Sequence, residues 1–219
     1  MRLRLTSTIA SVAVLALTAS ACGGDDDGAA SESAAAPEPV AQIDALTGRT
    51  TAVTLDAGFV SALQSLKVTP GPVGDATISK QGVASFPITG GNVTYYEPGT
   101  VSPFVQGELD HDGAGLSLAA GGKRVELTDF VVDPGASVLT GTVSVDGEVA
   151  AQDAPLFFLD GRTLNPLEVD DANGTAILEG TTVKLKAEAA ELLNGTFGIQ
   201  DLQEGLVIGV AKITIDTAA

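Results

Sequence analysis

Few residues of this 219-residue chain could do chemistry. It has one histidine (His111), one cysteine (Cys22), two tyrosines (Tyr95 and Tyr96) and no tryptophan. A Ser-His-Asp or Cys-His site would have to be built on His111, and no Gly-x-Ser-x-Gly elbow is present. Zinc and copper sites draw on clusters of His and Cys that this sequence does not contain, so no metal centre is expected. No Gly-x-x-x-x-Gly-Lys or strand-linked Gly-x-Gly-x-x-Gly occurs to cradle a phosphate. Acids are plentiful, 28 Asp and Glu against 11 Lys and Arg, so a carboxylate-only hydrolase with two acids flanking a bond is one reading. Few aromatic residues are available to stack sugars, and the expectation is that the protein is not an enzyme. Asp110-x-Asp112-Gly113 and Asp171-x-Asn173-Gly174 echo calcium loops, where several oxygen donors surround a tight Gly turn. Neither has the full donor set or the closing Glu, and both read as turns. His111, among acids in Glu108-Leu109-Asp110-His111-Asp112-Gly113, then reads as an exposed hairpin-edge residue.

Cys22 carries a different kind of chemistry. Arg2 and Arg4 are followed by an uncharged apolar run from Ile9 to Leu17, then Thr18-Ala19-Ser20-Ala21-Cys22 and Gly23-Gly24-Asp25-Asp26-Asp27. A basic start, a short apolar core and small residues at the cut site are the parts of a secretory signal. The apolar run is too short to span a ~30 Å hydrocarbon core. Ending on cysteine, the segment resembles a bacterial lipoprotein signal with its lipobox, which implies cleavage before Cys22 and a diacylglycerol on its sulfur. That pattern prefers Leu three places before the cysteine, where this chain has Ala19. Secretory cleavage after Ala21 is the alternative, and it would leave a lone thiol in an oxidising compartment. Residues 1–21 are therefore expected to be a signal peptide. The mature protein is expected outside the cytoplasm, joined to the cell membrane through a lipid anchor at Cys22.

Cleavage there removes two arginines and no acid, so the mature chain is still more acidic than the net −17 of the whole. Nucleic acid is excluded as a partner, because its binding is driven by basic residues that release counterions. Anionic lipid surfaces repel such a domain, which leaves the anchor as the membrane link. Residues 22–42, dominated by Gly, Asp, Ser, Ala, Glu and Pro, have the composition of a disordered acidic tether. Residues 43–219 are long enough for one domain with its own core.

That domain carries mostly strand signals. Val83–Ile88, Val125–Val132, Leu139–Val145, Ala176–Leu185 and Val210–Ile215 alternate between apolar and polar and are punctuated by Gly, Asp-Gly and Asn-Gly turns. Asp56–Leu66, with Phe59, Leu63 and Leu66 at helical spacing, and Ala187–Leu193 read as two short helices. These two regions resemble each other. Val53-Thr54-Leu55-Asp56-Ala57 matches Val183-Lys184-Leu185-Lys186-Ala187. Gly71-x-Val73-Gly74-x-Ala76-x-Ile78 matches Gly205-x-Val207-Ile208-Gly209-x-Ala211-x-Ile213 with one insertion. This internal strand–helix–strand repeat predicts that the first and last strands lie together. The expected fold is mainly β, an antiparallel β-sandwich or partly closed barrel with two short helices.

Residues 82–145 have a further rhythm. A Phe-Pro-Ile strand and Gly90-Gly91 precede a histidine, then Gly113-x-Gly115-Leu116-Ser117-Leu118. Val125-Glu126-Leu127-x-Asp129-Phe130-Val131-Val132-Asp133 and Leu139-x-Gly141-x-Val143 follow. This resembles the HtaA family of secreted haem-binding β-domains, although the family's Trp-Gly opening has no counterpart here. The resemblance implies haem held by a tyrosine assisted by a histidine, roles that Tyr95 or Tyr96 and His111 would take. Read alone, Tyr95 and Tyr96 are an aromatic strand pair beside the Pro98-Gly99 turn. The sequence as a whole predicts an envelope-anchored lipoprotein whose β-domain is a non-catalytic binding or structural module, with no cofactor required and its partner unnamed. Binding of haem or another small apolar ligand is the first alternative and a carboxylate-only hydrolase the second. A deep cavity would favour the ligand, a shallow surface a macromolecular partner.

Overall fold

The computed structural model describes residues 36–217. The expected signal peptide, Cys22 and most of the expected tether lie outside these residues. The chain runs β1 (Ala41–Ile43), β2 (Arg49–Leu55), α1 (Ala57–Ser65), β3 (Thr69–Gly74), β4 (Thr77–Ile78), β5 (Val83–Pro87) and β6 (Gly90–Tyr95). It continues through β7 (Val105–Ala120), β8 (Lys123–Asp133), β9 (Val138–Val145), β10 (Glu148–Asp160), β11 (Glu168–Asp170), β12 (Thr175–Leu185), α2 (Ala187–Phe197) and β13 (Val207–Asp216). The strands form one antiparallel sheet in the order β1-β6-β7-β8-β9-β10-β12-β13-β2-β5-β4, with β11 on β12 and β3 on β7. It curls into a half-barrel.

A bend between β5 and β6 draws the two ends of the sheet together. β5 pairs with β2 and β6 with β7, although β2 and β7 are far apart in the strand order. The ladders continue into the bend itself, where Ile88 N–H donates to the Arg49 carbonyl (2.7 Å) and Thr89 N–H to that of Asp110 (2.8 Å). Gly90-Gly91 therefore lies inside a strand rather than in a turn. Gly91 has φ +109°, and a Cβ there would overlap the Glu108 carbonyl, so this corner tolerates only glycine.

Bulges bend the long strands further, because an extra residue on one strand kinks it and increases its twist. They fall between His111 and Gly115 in β7, Thr128 and Val131 in β8, Pro155 and Phe157 in β10, and Glu179 and Thr181 in β12. Across each bulge the two-residue alternation changes phase, so one strand serves two faces. Leu127, Val143 and Leu156 turn towards Ala189 and Leu193 of α2. Phe130, Val132 and Leu159 turn into the half-barrel.

Both helices follow the expected pattern. Asp56 caps α1 by accepting from Gly58 N–H (2.7 Å) and Phe59 N–H (3.2 Å), and the helix buries Phe59 and Leu63. α2 buries Ala189, Ala190 and Leu193 and ends at Gly198 in the left-handed conformation, a conformation that glycine adopts without strain. The repeated strands do lie together, with β13 pairing along β2 from Gly209–Leu55 to Ile215–Arg49 and also pairing with β12. The second halves of the repeat diverge. β13 returns beside its own first strand, whereas β3 leaves β2 and pairs with β7 from Thr69–Ala119 to Gly74–Ala114. Pro70 and Pro72 have no N–H to donate to a second neighbour, which confines β3 to an edge.

Candidate functional site

Inward-facing residues of β2, β5, β8, β12 and β13 do not meet across the half-barrel. They enclose a cavity of about 680 Å³ with almost wholly apolar walls. Val53, Leu55, Leu178 and Ile213 line it and are only partly buried, although they sit on the concave face of the sheet. In a filled core such side chains would touch neighbours on all sides. A cavity of this size lies within the ~300–1,000 Å³ range of small-molecule sites.

His111 lies on the cavity wall and is 1% exposed. The expectation of an exposed hairpin edge is thus overturned. Asp110-His111-Asp112-Gly113 is no hairpin turn but the bulged middle of β7, which sends the histidine inward and leaves Asp112 in solvent. The ring crosses the interior. Its Nδ1 lies 3.1 Å from the Phe130 carbonyl oxygen and its Nε2 2.9 Å from Thr51 Oγ1. A carbonyl can only accept, so Nδ1 carries the proton and Nε2 accepts from the threonine hydroxyl. Burial pushes the His111 pKa below its ordinary value of 6.5, outweighing the opposing effects of the Phe130 carbonyl and of Asp110 and Asp112. A neutral imidazole therefore ties β7 to β2 from the inside. Beside it Phe86 of β5 and Phe130 of β8 meet edge to face with centroids 5.3 Å apart.

The tyrosines are placed differently from each other. Tyr95 lines the cavity, edge-on to Phe104 at 5.7 Å, whereas Tyr96 is not among the lining residues. Tyr95 pairs with Val105, and His111 lies farther along the same strand, about 20 Å away at the rise of a β-strand. Tyr95 and His111 thus share a chamber without touching. Both imidazole nitrogens are already engaged by the protein.

At the end of β10, Asp160 accepts from Arg162 Nε (2.8 Å), Arg162 Nη2 (2.6 Å) and Lys184 Nζ (2.7 Å). The Arg162 and Lys184 bonds hold its carboxyl well below the usual carboxylate range. Asp160 is the single Asp or Glu among the lining residues, so two-carboxylate hydrolysis has no pair of acids in the cavity wall. Asp171-x-Asn173-Gly174 forms a turn closed by Asp170, which accepts from Ala172 N–H and Asn173 N–H at 3.1 Å each. Sequence reasoning did not single out Thr51, Asp160, Arg162 or Lys184. Nothing local marks Thr51, which matters through a residue on a remote strand.

Fold and cavity together define a β half-barrel enclosing an apolar chamber the size of a small-molecule site. No family model and no curated protein matches the chain by sequence. Among solved structures it is similar to the C-terminal domain of HtaA from Corynebacterium glutamicum, at a TM-score of 0.53 and 12% identity over 78% of this chain and 98% of that one. The N-terminal domain of HtaA from the same organism aligns at 0.47 and 15% identity, covering 81% of this chain and 100% of that one. The heme binding protein HtaB from that organism aligns at 0.41 and 9%, covering 80% and 96%. The first of these likenesses shows that the half-barrel is an HtaA-like fold. No helix among the described residues is long and apolar enough to cross a membrane.

Proposed function

We propose that this β-domain is a non-catalytic binding module that holds a small, largely apolar ligand inside the half-barrel, at the outer face of a cell membrane to which an acylated Cys22 tethers it. The observation that carries the reading is the apolar cavity of about 680 Å³ whose lining side chains are left incompletely packed. An unfilled apolar interior sacrifices contacts that a closed core would make, and a ligand restores them. Of the expectations from sequence, the cavity supports a ligand over a macromolecule meeting a shallow surface.

Haem is the second reading, favoured by the place of Tyr95 on the cavity wall and by the resemblance to the HtaA family. The apolar walls suit a macrocycle, and the Tyr95 phenol is the side chain that would meet its iron. A tyrosine assisted directly by His111 does not fit, because the two lie far apart and the imidazole is bonded to Thr51 and Phe130. Titration with Nile red, a neutral apolar dye, tests the first reading. Saturable enhancement at one dye per protein supports it, and the absence of binding removes it. Titration with haemin tests the second: a Soret band that changes in Tyr95→Phe and persists in Tyr96→Phe supports Tyr95 as the ligand.

A further inference from the structure

The residues that line the cavity are spread along the strands. On β13 and its neighbours they run from Ile215 at one end, through the Leu178–Ile213 and Ala211–Val53 pairs, to Leu55 at the other. Leu55 pairs with Gly209, six residues from Ile215 along β13, which is about 20 Å at the rise of a strand. Tyr95 and His111 stand a similar distance apart along β7. The incompletely packed side chains follow the same line, with Leu178 and Ile213 in one row, Val53 in the next and Leu55 in the last. Empty space therefore runs the length of the interior instead of collecting at one point. A volume of about 680 Å³ spread over about 20 Å leaves a cross-section of about 34 Å², a bore roughly 6–7 Å wide. One hydrocarbon chain fits such a bore with wall atoms in contact around it, at ~4.0–4.5 Å from its carbons. A broad ring system would have to push closely packed walls apart. The walls also hold no charge that could read an end group. Asp160 and Lys184, which hold Arg162, alternate with the lining Leu159 and Val183 and so lie on the opposite face of the sheet. His111 is neutral, with both nitrogens engaged by Phe130 and Thr51.

We propose that the ligand is a single long, unbranched hydrocarbon chain, threaded along the strands from Ile215 to Leu55 and selected by its length and straightness, not by the charge of its end. This rests on the apolar-ligand reading and gives the ligand a shape.

The test displaces Nile red from the purified protein with octanol, decanol, dodecanol and tetradecanol, and with cyclododecanol, which closes the carbons of dodecanol into a ring. Displacement by the straight alcohols should strengthen steadily up to tetradecanol, by up to about four-fold per methylene, the effect of moving one out of water. Dodecanol should act at a concentration about ten-fold or more below that of cyclododecanol, the equivalent of two methylenes left without wall contact. Val53→Phe, which narrows the bore between the Leu178 and Leu55 rows, should weaken tetradecanol more than octanol. That comparison is made between alcohols within the variant, so a change in dye affinity does not disturb it. A plateau before dodecanol, cyclododecanol at least as effective as dodecanol, or equal weakening of both alcohols by Val53→Phe overturns the inference while the apolar site stands. If Val53→Phe no longer binds the dye, the wild-type series decides alone. Failure of Nile red to bind the wild type overturns both.

Discussion

Thr51→Val isolates the bond that crosses the chamber. Valine keeps the shape of threonine and removes only the hydroxyl that donates to His111 Nε2 at 2.9 Å. Thr51 is 6% exposed and His111 1%, so water has little access to the nitrogen left behind. A buried acceptor without a partner costs about 1–3 kcal/mol. For a domain of this size each kcal/mol moves the melting temperature by roughly 2–4 °C, so Thr51→Val should melt roughly 2–12 °C below wild type by calorimetry. His111→Leu removes the other partner and should also destabilise, since it strands the Thr51 hydroxyl and the Phe130 carbonyl. Combined, the two changes should cost less than their sum by about 1 kcal/mol or more, because an apolar pair has no unmet bond to leave. A Thr51→Val melt within about 1 °C of wild type, or a cycle additive to within ~0.5 kcal/mol, would refute the view that this bond ties β2 to β7.

Further predictions concern pH, the cavity wall and the turn after β10. His111 has its pKa lowered by burial from the 6.5 of an exposed histidine, so below pH 6.5 the unfolded chain takes up a proton that the native state refuses. Stability should be level above pH 6.5 and fall as pH drops towards the native pKa, by up to ~1.4 kcal/mol per pH unit. Urea titrations at several pH values check this, and His111→Leu should lose that slope. Ile213→Trp places the only tryptophan of the chain on the cavity wall. Its emission should become less accessible to acrylamide when laurate or Nile red is added, and an unchanged quenching constant at saturating ligand would place the ligand elsewhere. Gly180 has φ +116°, and a Cβ there would overlap the Thr163 carbonyl. Gly180→Ala should therefore destabilise by about 1 kcal/mol or more, read as a lower melting temperature by calorimetry.

Local pattern made much of this fold legible. Alternation marked β5, β8, β9 and β13, Asp56 and the spacing of Phe59 and Leu63 marked α1, and the repeat foretold that β2 and β13 would be neighbours. The strands that escaped notice carry the residues that usually end strands. Pro70 and Pro72 hide the start of β3, whose later residues the repeat had placed in its second half, and Gly90-Gly91 hides the start of β6, because an edge position and a tight corner accept those residues for reasons visible only in three dimensions. His111 was obscured in the same way. Its acidic neighbours suggest solvent, yet a bulge between His111 and Gly115 sends the side chain inward and leaves Asp112 outside. The chamber was illegible for a more general reason. Alternation says which side of a strand is apolar, but Val53, Leu178 and Ile213 would look the same packed against a filled core. Whether the core is filled depends on curvature, set by bulges and by the bend at Ile88 and Thr89.

The most direct test of a bound apolar ligand is native mass spectrometry of the protein purified from the membranes of its own host in a mild detergent. The account predicts one small, largely apolar molecule retained per chain and released on unfolding, and alongside it an acylated Cys22. A protein that is repeatedly free of any adduct, and that also fails to take up laurate, protoporphyrin IX or Nile red when these are added, would contradict the account at its centre.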